Sequence, residues 1–272
     1  MATGDAAKLY AETNQKVLIL DRNDRPRFHD LFRGNPKIWE PAAWRGNLSD
    51  HPLVRSGAGR RPYADYEAIE ALGKRRSPAA SDRKQLRRAA SRLCFNYAYR
   101  AVGGEVFLDT NERRFGEQAT KGLGAFVVIE PNIKGRVPAK QWGVDKWQGL
   151  ADAMIKFGLQ PVQIGPGTGI KLANVRYIKT PSFRIAMSVM EHANRFVVPE
   201  GGMHHAFGAL HKQGVALFAG RTPLTLSYPE QLTWYVEHVG GACGAEHEDC
   251  PHCRKLWNSL SVAEVLSMLT RC

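Results

Sequence analysis

The sequence predicts an α/β protein built on a parallel sheet, and three observations carry that expectation. Strands and helices alternate through the C-terminal half, which favours right-handed βαβ units with helices on both faces. Residues 144–157 place Trp147, Leu150, Ala151, Met154 and Ile155 on one helical face, and Gly158 closes the run. The stretch 195–220, RFVVPEGGMHHAFGALHKQGVALFAG, packs a buried strand, a glycine turn, a helix start and a second strand into one unit.

Composition sets the outer bounds. The chain has 272 residues, of which 43% are hydrophobic, enough for a sizeable core. No apolar run approaches the roughly 20 residues that span a bilayer, and the first 15 residues lack the apolar stretch of a secretory signal. The expectation is a cytoplasmic protein without a transmembrane segment. A net charge of +12 favours an anionic partner: a nucleotide, a nucleic acid or a phosphorylated glycolipid met by peripheral membrane contact. Five cysteines, an odd number, argue against a disulfide framework.

In chain order, residues 1–15 are polar and read as a loose end or short cap, followed by the strand 16–20, KVLIL. The polar loop after it brings Asp21 and Asp24 to the carboxyl end of a strand, where ligands gather in open α/β sheets, although a solvated Asp/Asn turn explains them equally well. Residues 30–62 are loops around a short strand near Ile38. A helix is expected over 63–72, closed by Gly73. Residues 55–100 hold twelve basic and four acidic side chains. Within them, 82–96 reads as a helix with Leu86, Ala89, Ala90 and Leu93 on one stripe and Arg87, Arg88 and Arg92 on the other face. That face is either an anion-binding surface or an ordinary solvated one.

A strand at 105–108 and a polar helix at 111–118 precede a break at 121–124, KGLG. Beyond it come strands at 125–129, 161–164 and 175–178 and a helix opened by Ser182 as N-cap. The strand 196–198, the helix 203–211 and the strand 215–218 follow. A polar loop at Arg221-Thr222-Pro223 ends that strand, a further candidate ligand contact. The last helix, 261–271, opens with a capping box of Ser261 and Glu264 and carries an apolar stripe. The organisation expected is an N-terminal unit over 1–122, a Rossmann-like nucleotide-binding unit over 123–258 and a terminal helix over 259–272 packing back on the body.

The chemistry gathers at the glycine turn. Where Gly201 and Gly202 meet a helix start, free backbone N–H groups and the positive end of the helix dipole face one point flanked by His204 and His205, which suits a phosphate. The glycines of 165–169, GPGTG, have the wrong spacing for a dinucleotide fingerprint, and there is no GxxxxGK[ST] phosphate loop. The spacing Cys243-x6-Cys250-x2-Cys253, with His247 and His252 inside it, offers ligands for a tetrahedral structural zinc, Cys243, His247, Cys250 and Cys253 forming the expected set; reduced thiols in a loop are the alternative.

Lys140-Gln141-Trp142 together with Glu200-Gly201-Gly202-Met203-His204-His205, the small residues that follow and the strand 215–220 resemble the C-terminal half of the heptosyltransferase-like glycosyltransferases of family nine. The resemblance covers about 110 residues. It implies a GT-B-like fold, two Rossmann-like domains facing a cleft, here with the N-terminal one abbreviated to about 120 residues. It also implies transfer of a sugar from a nucleoside-diphosphate sugar, with inversion and with no metal needed for donor binding. Lys140 and Trp142 then form the family's Lys-x-Trp element, Lys140 contacting a donor phosphate and Gly201 and Gly202 cradling the diphosphate. Glu200 stands where the family typically has Asp, and His205 sits beside the phosphates.

An inverting transferase needs a general base facing the acceptor from the N-terminal side, and Asp24 is favoured by position, with Asp21 and His29 behind it. Family precedent implies an anionic envelope saccharide as acceptor, such as lipopolysaccharide, and the basic face near Arg87 suits it. That face also suits DNA whose modified bases accept sugar. A catalytically inactive nucleotide-sugar-binding or nucleic-acid-binding protein is the non-enzymatic alternative.

Overall fold

A computed structural model describes residues 1–21, 23–56, 61–132, 140–235, 242–245 and 250–272. Residues 1–15, expected to be loose, form helix α1 (Ala2–Thr13). Packing decides this: Ala6 is fully buried in a small cluster with Val17, Ile19, Phe32, Ile38 and Val54. Strand β1 (Leu18–Leu20) pairs in parallel with β2 (Leu53–Arg55), Leu18 opposite Leu53. The strand expected near Ile38 is a single bridge to Val17.

Helix α2 (Tyr66–Arg76) does not stop at Gly73 but runs through it. A Cβ at Gly73 would lie 2.0 Å from the Leu86 carbonyl oxygen, so the glycine is the notch where α3 (Arg83–Ala90) crosses α2. Helix α3 is shorter than expected because Ser91 turns left-handed, with φ of 51°. Residues 105–108 form no strand. Their polar groups go elsewhere: Glu105 N–H donates to the Thr3 hydroxyl, and the Phe107 carbonyl accepts from Arg184. Helix α4 (Thr110–Thr120) is capped by Asp109 and Glu112 acting reciprocally.

The second half follows its periodicity closely. β3 (Phe126–Ile129), α5 (Val144–Lys156), β4 (Gln160–Gly165), β5 (Arg176–Lys179), α6 (Phe183–Met190), β6 (Arg195–Pro199), α7 (Gly202–Ala209) and β7 (Gly214–Leu217) appear in turn. Ser182 caps α6 by accepting the Ile185 N–H. Three elements were not anticipated: α8 (Pro223–Leu226), the edge strand β8 (Gln231–Trp234) and α9 (Pro251–Ser259). The final helix, α10 (Val262–Arg271), has the expected Ser261–Glu264 box. It packs on α5 and on the backs of β6 and β7. The sheet order is β5-β4-β3-β6-β7-β8, every pair parallel.

Two cores flank this sheet. On one face Trp142, Trp147, Leu150, Met154, Trp257 and Leu269 join Val127, Val197 and Val215. On the other, Phe126, Val128, Phe196, Val198 and Phe218 share a single cluster with Tyr63, Ile69, Ala90, Leu93, Phe95 and Leu108. The helices of residues 61–108 therefore pack into the core of the large sheet, while residues 1–56 hold a small cluster of their own. Among the described residues, no helix is long and apolar enough to cross a membrane.

Candidate active site

Chain order reverses between β3 and β6: β4 and β5 extend the sheet one way from β3, and β6, β7 and β8 the other. At such a switch point the loops leaving adjacent carboxyl ends diverge and open a crevice. A cavity of about 600 Å³ occupies it, lined by Glu130 and Asn132 beyond β3, Gly165 and Pro166 beyond β4, Thr180 to Phe183 at the start of α6, Pro199 to Met203, Lys140, Arg221 and Arg61. That volume suits a nucleotide-sized ligand.

The centre of the cavity is ionic. Glu200, 7% exposed, ion-pairs with the Lys140 ammonium and, at 3.0 Å, with Nε of Arg221. Lys140 also donates to the Glu200 carbonyl oxygen at 2.8 Å. Burial raises the Glu200 carboxyl, but the charges of Lys140 and Arg221 outweigh burial and hold it well below the usual carboxylate range. Lys140 and Arg221 thus bring two cationic side chains to one carboxylate beside the first turn of α7, whose N-cap Gly201 offers no side-chain acceptor to the helix N–H groups. The arrangement can hold an anion and stabilise negative charge that grows on it.

Glu130 behaves differently. Burial pushes its carboxyl up to about 7, against the opposing effect of the Asn132 N–H it accepts at 2.6 Å. A second cavity, of about 270 Å³, shares Phe183 and Gly202 with the first and is lined across the gap by Ile19, Arg27, His29 and Ser56 on one side and by His205, Ala206 and Ala209 on the other. The His205 ring meets the Tyr228 hydroxyl at 2.8 Å through Nδ1, and its Nε2 lies 3.9 Å from Glu200. Burial pulls its pKa well down, so the ring is neutral near pH 7.

The residues singled out from sequence fall into distinct places. Lys140, Glu200, Gly201, Gly202 and His205 come together around the two cavities. Trp142 lies behind them in the core, its indole N–H donating to the Leu260 carbonyl at 3.1 Å and its ring edge-on to Trp147; it anchors the loop that carries Lys140. His204 is fully buried among His205, Phe218 and Tyr228, and burial lowers its pKa to about 4.

On the N-terminal side, Asp21 accepts the Asn23 and Arg25 N–H groups, closing the turn after β1. Asp24 is left-handed, with φ of 58°, and pairs with Arg55 at 2.9 Å. Neither lines either of these two cavities, whereas His29 lines the second, with Nδ1 accepting the Leu31 N–H. Arg87 and Arg88 of α3 and Arg92 beyond it line neither cavity. Arg87 pairs with Glu70 at 3.2 Å and stacks over Tyr66, Arg92 lies 4.0 Å from the Cys250 sulfur, and Arg88 points to solvent. Cys243, Cys250 and Cys253 converge, with His252 as the nitrogen ligand brought to them; His247 lies outside the described residues.

Glu130, Asn132, Arg61 and Phe183 were missed as site residues. Glu130 directly follows an apolar strand, a position that signals a carboxylate at a sheet's carboxyl edge; the others carry no local signal.

No protein-family model matches the chain, and no curated protein matches it in sequence. Solved structures do. The glycosyl transferase family 9 protein of Veillonella parvula is 12% identical, with 98% of this chain and 91% of that one covered and a TM-score of 0.56. The iron-containing dodecameric glycosyltransferase TibC of enterotoxigenic E. coli is 14% identical over 89% of this chain and 64% of that one, with a TM-score of 0.52. E. coli ADP-heptose lps heptosyltransferase II is 16% identical over 62% of this chain, with a TM-score of 0.47, and the match spans 53% of that protein, about half its length. The fold is GT-B-like, with parallel sheets and an abbreviated N-terminal unit.

Proposed function

We propose that the protein is a glycosyltransferase that moves a sugar from a nucleoside-diphosphate sugar to an anionic acceptor with inversion and without a metal at the donor. The observation that carries this reading is the Lys140–Glu200–Arg221 cluster at the start of α7, in a nucleotide-sized cavity at the switch point of the sheet. The likeness of fold to the glycosyl transferase family 9 protein of Veillonella parvula and to the glycosyltransferase TibC supports it.

In this reading the diphosphate lies across Gly201 and Gly202. Lys140, Arg221 and the N–H groups of α7 neutralise the charge that develops as the sugar–phosphate bond breaks. Glu200 keeps the two cations in place while the site is free of ligand. The acceptor enters by the second cavity, where Arg27 attracts an anionic group and His29, fixed by its bond to Leu31, orients the incoming hydroxyl. Asp24 takes the proton. Arg55, at 2.9 Å, holds its carboxylate in place, and the base closes on its substrate when the ligands bind. The acceptor class proposed is a phosphorylated envelope saccharide.

A panel of ADP-, UDP- and GDP-sugars tests the reading. One nucleotide sugar is expected to raise Tm by mass action, and Lys140→Ala is expected to abolish that rise. Turnover of the same sugar on a saccharide acceptor, lost in Asp24→Asn with donor binding unchanged, would support the assignment of the base. A null result across the whole panel would refute the proposal.

One observation favours a second reading: no carboxylate from residues 1–56 lines either cavity. Donor binding without transfer to any saccharide or to DNA would indicate a nucleotide-sugar-binding protein instead.

A further inference from the structure

Three thiols and an imidazole meet where the chain beyond β8 enters α9, outside the lining of either cavity. The Cys243 sulfur lies 3.8 Å from that of Cys250 and 3.4 Å from that of Cys253, and with His252 all four donor atoms fall within 4.8 Å of one another. Cys250 and Cys253 are buried, and all three thiols are free. A tetrahedral ion with metal–sulfur bonds of about 2.3 Å places its sulfurs about 3.8 Å apart, close to the spacing observed. A disulfide would join only two of the sulfurs, at about 2.05 Å, and leave the third thiol out. Cys250 is the N-cap of α9 and His252 and Cys253 follow in its first turn, so one rigid element presents three of the donors.

The position of this cluster gives it a consequence for the cleft. Gly244, next to Cys243, donates its N–H to the Gly220 carbonyl at 2.8 Å and accepts from the Leu93 N–H at 2.8 Å. A Cβ on Gly220 would lie 3.2 Å from the Cys253 sulfur and 3.1 Å from the Ala245 carbonyl oxygen. The chain at Gly220 thus rests directly on the cluster, and the next residue is Arg221, whose guanidinium holds Glu200 at 3.0 Å.

We propose that Cys243, Cys250, His252 and Cys253 bind one tetrahedral transition-metal ion, zinc by the character of the donor set, and that this ion fixes the 220–221 turn and so the place of Arg221. Four protein ligands close the coordination sphere, so the ion is structural and takes no part in group transfer. Binding draws the thiols into thiolate form and releases their protons to solvent.

Elemental analysis of the reduced, full-length protein, purified without chelator and after zinc reconstitution, is expected to give one equivalent of zinc. One equivalent of iron would uphold the site and change the ion, and less than about a tenth of an equivalent of any transition metal would overturn it. Titration of the wild type with an organomercurial should release the metal as the cluster thiols react, which keeps the test informative if Cys250→Ser fails to fold. Cys243→Ser should lose the metal, whereas Cys94→Ser should keep it. Hydrogen exchange reads the second part of the proposal. Removal of the metal should speed exchange across residues 217–226 by roughly tenfold or more and leave β4 unchanged. Unchanged exchange at 217–226 would overturn the link to Arg221. None of these readouts involves a nucleotide or a sugar, so their failure is distinct from failure of the transferase reading.

Discussion

Two buried glutamates, Glu112 and Glu200, are equally hidden from water and differently completed. Glu112 accepts from Arg184 through both oxygens, at 2.6 and 2.7 Å, from Arg33 at 2.5 Å and from the Asp109 N–H at 2.8 Å. The remaining donors of Arg184, 1% exposed, go to the Asp30, Arg33 and Phe107 carbonyls. That group is saturated and ties residues 30–33, α4 and α6 into one body. Glu200 carries two cations on a cavity wall. A buried ion pair closed inside the core fixes a fold; a cluster of charges lining an opening is placed to meet a partner.

The comparison can be broken most severely at its closed member. Glu112→Gln leaves the Arg184 guanidinium buried beside a neutral amide, and the expected loss is about 3–5 kcal/mol of unfolding free energy, read by chemical denaturation. A loss under about 1 kcal/mol would show that the group is no lock. At the open member, Lys140→Ala removes a charged donor, and affinity for the nucleotide sugar proposed as donor should fall roughly 10- to 100-fold by calorimetric titration, with a smaller change in stability. Unchanged affinity would end the contrast between the two glutamates.

Glu130, whose carboxylate pairs with no cation among the described residues, sharpens the contrast through pH. Its folded pKa of about 7 exceeds the unfolded value of 4.5, so the folded state binds the extra proton between them. Stability contributed by this group is therefore present below about pH 4.5 and is lost as pH rises through 7. Glu112 and Glu200, held low, act in the opposite direction and lose their contribution on acidification. Glu130→Gln should raise stability by about 1–3 kcal/mol at pH 8 and little at pH 5, measured as the difference in denaturation midpoints. The smallest effect is expected at Arg88→Glu, exposed on α3: within about 0.5 kcal/mol in stability and no change in nucleotide affinity. A large loss of affinity there would bring the α3 face back into the site.

What could be read from the sequence follows the reach of each signal. The α5 stripe, the Ser182 cap and the strand–turn–helix at 195–209 are local patterns, and each appears where expected, except that Ile155, counted on the α5 stripe, is exposed. Gly73 misled because a glycine that ends a helix and one that admits a crossing helix look alike until Leu86 is placed beside it. Residues 105–108 have strand-like composition, but Arg184 and Thr3, distant in sequence, take their backbone groups. In the site, Lys140 and the glycine turn carry motifs of their own. The pairing of Glu200 with Arg221, the raised pKa of Glu130 and the core position of His204 arise only from burial and long-range contact.

The core shared by residues 61–108 with the large sheet bears on how the molecule comes apart. A chain built of two lobes commonly melts in two steps, each lobe losing its own interior. Here Tyr63, Ile69, Leu93 and Phe95 lie in one continuous cluster with Phe196 and Phe218. The boundary of cooperativity is therefore expected near residue 56, well short of the chain's midpoint, with most of the heat of unfolding in a single event. Residues 1–56 are fastened to that body by polar ties, the Asp30 and Arg33 carbonyls on Arg184, Asp5 on Tyr99 and Lys37 on Glu105, so they are expected to loosen only when those ties are lost.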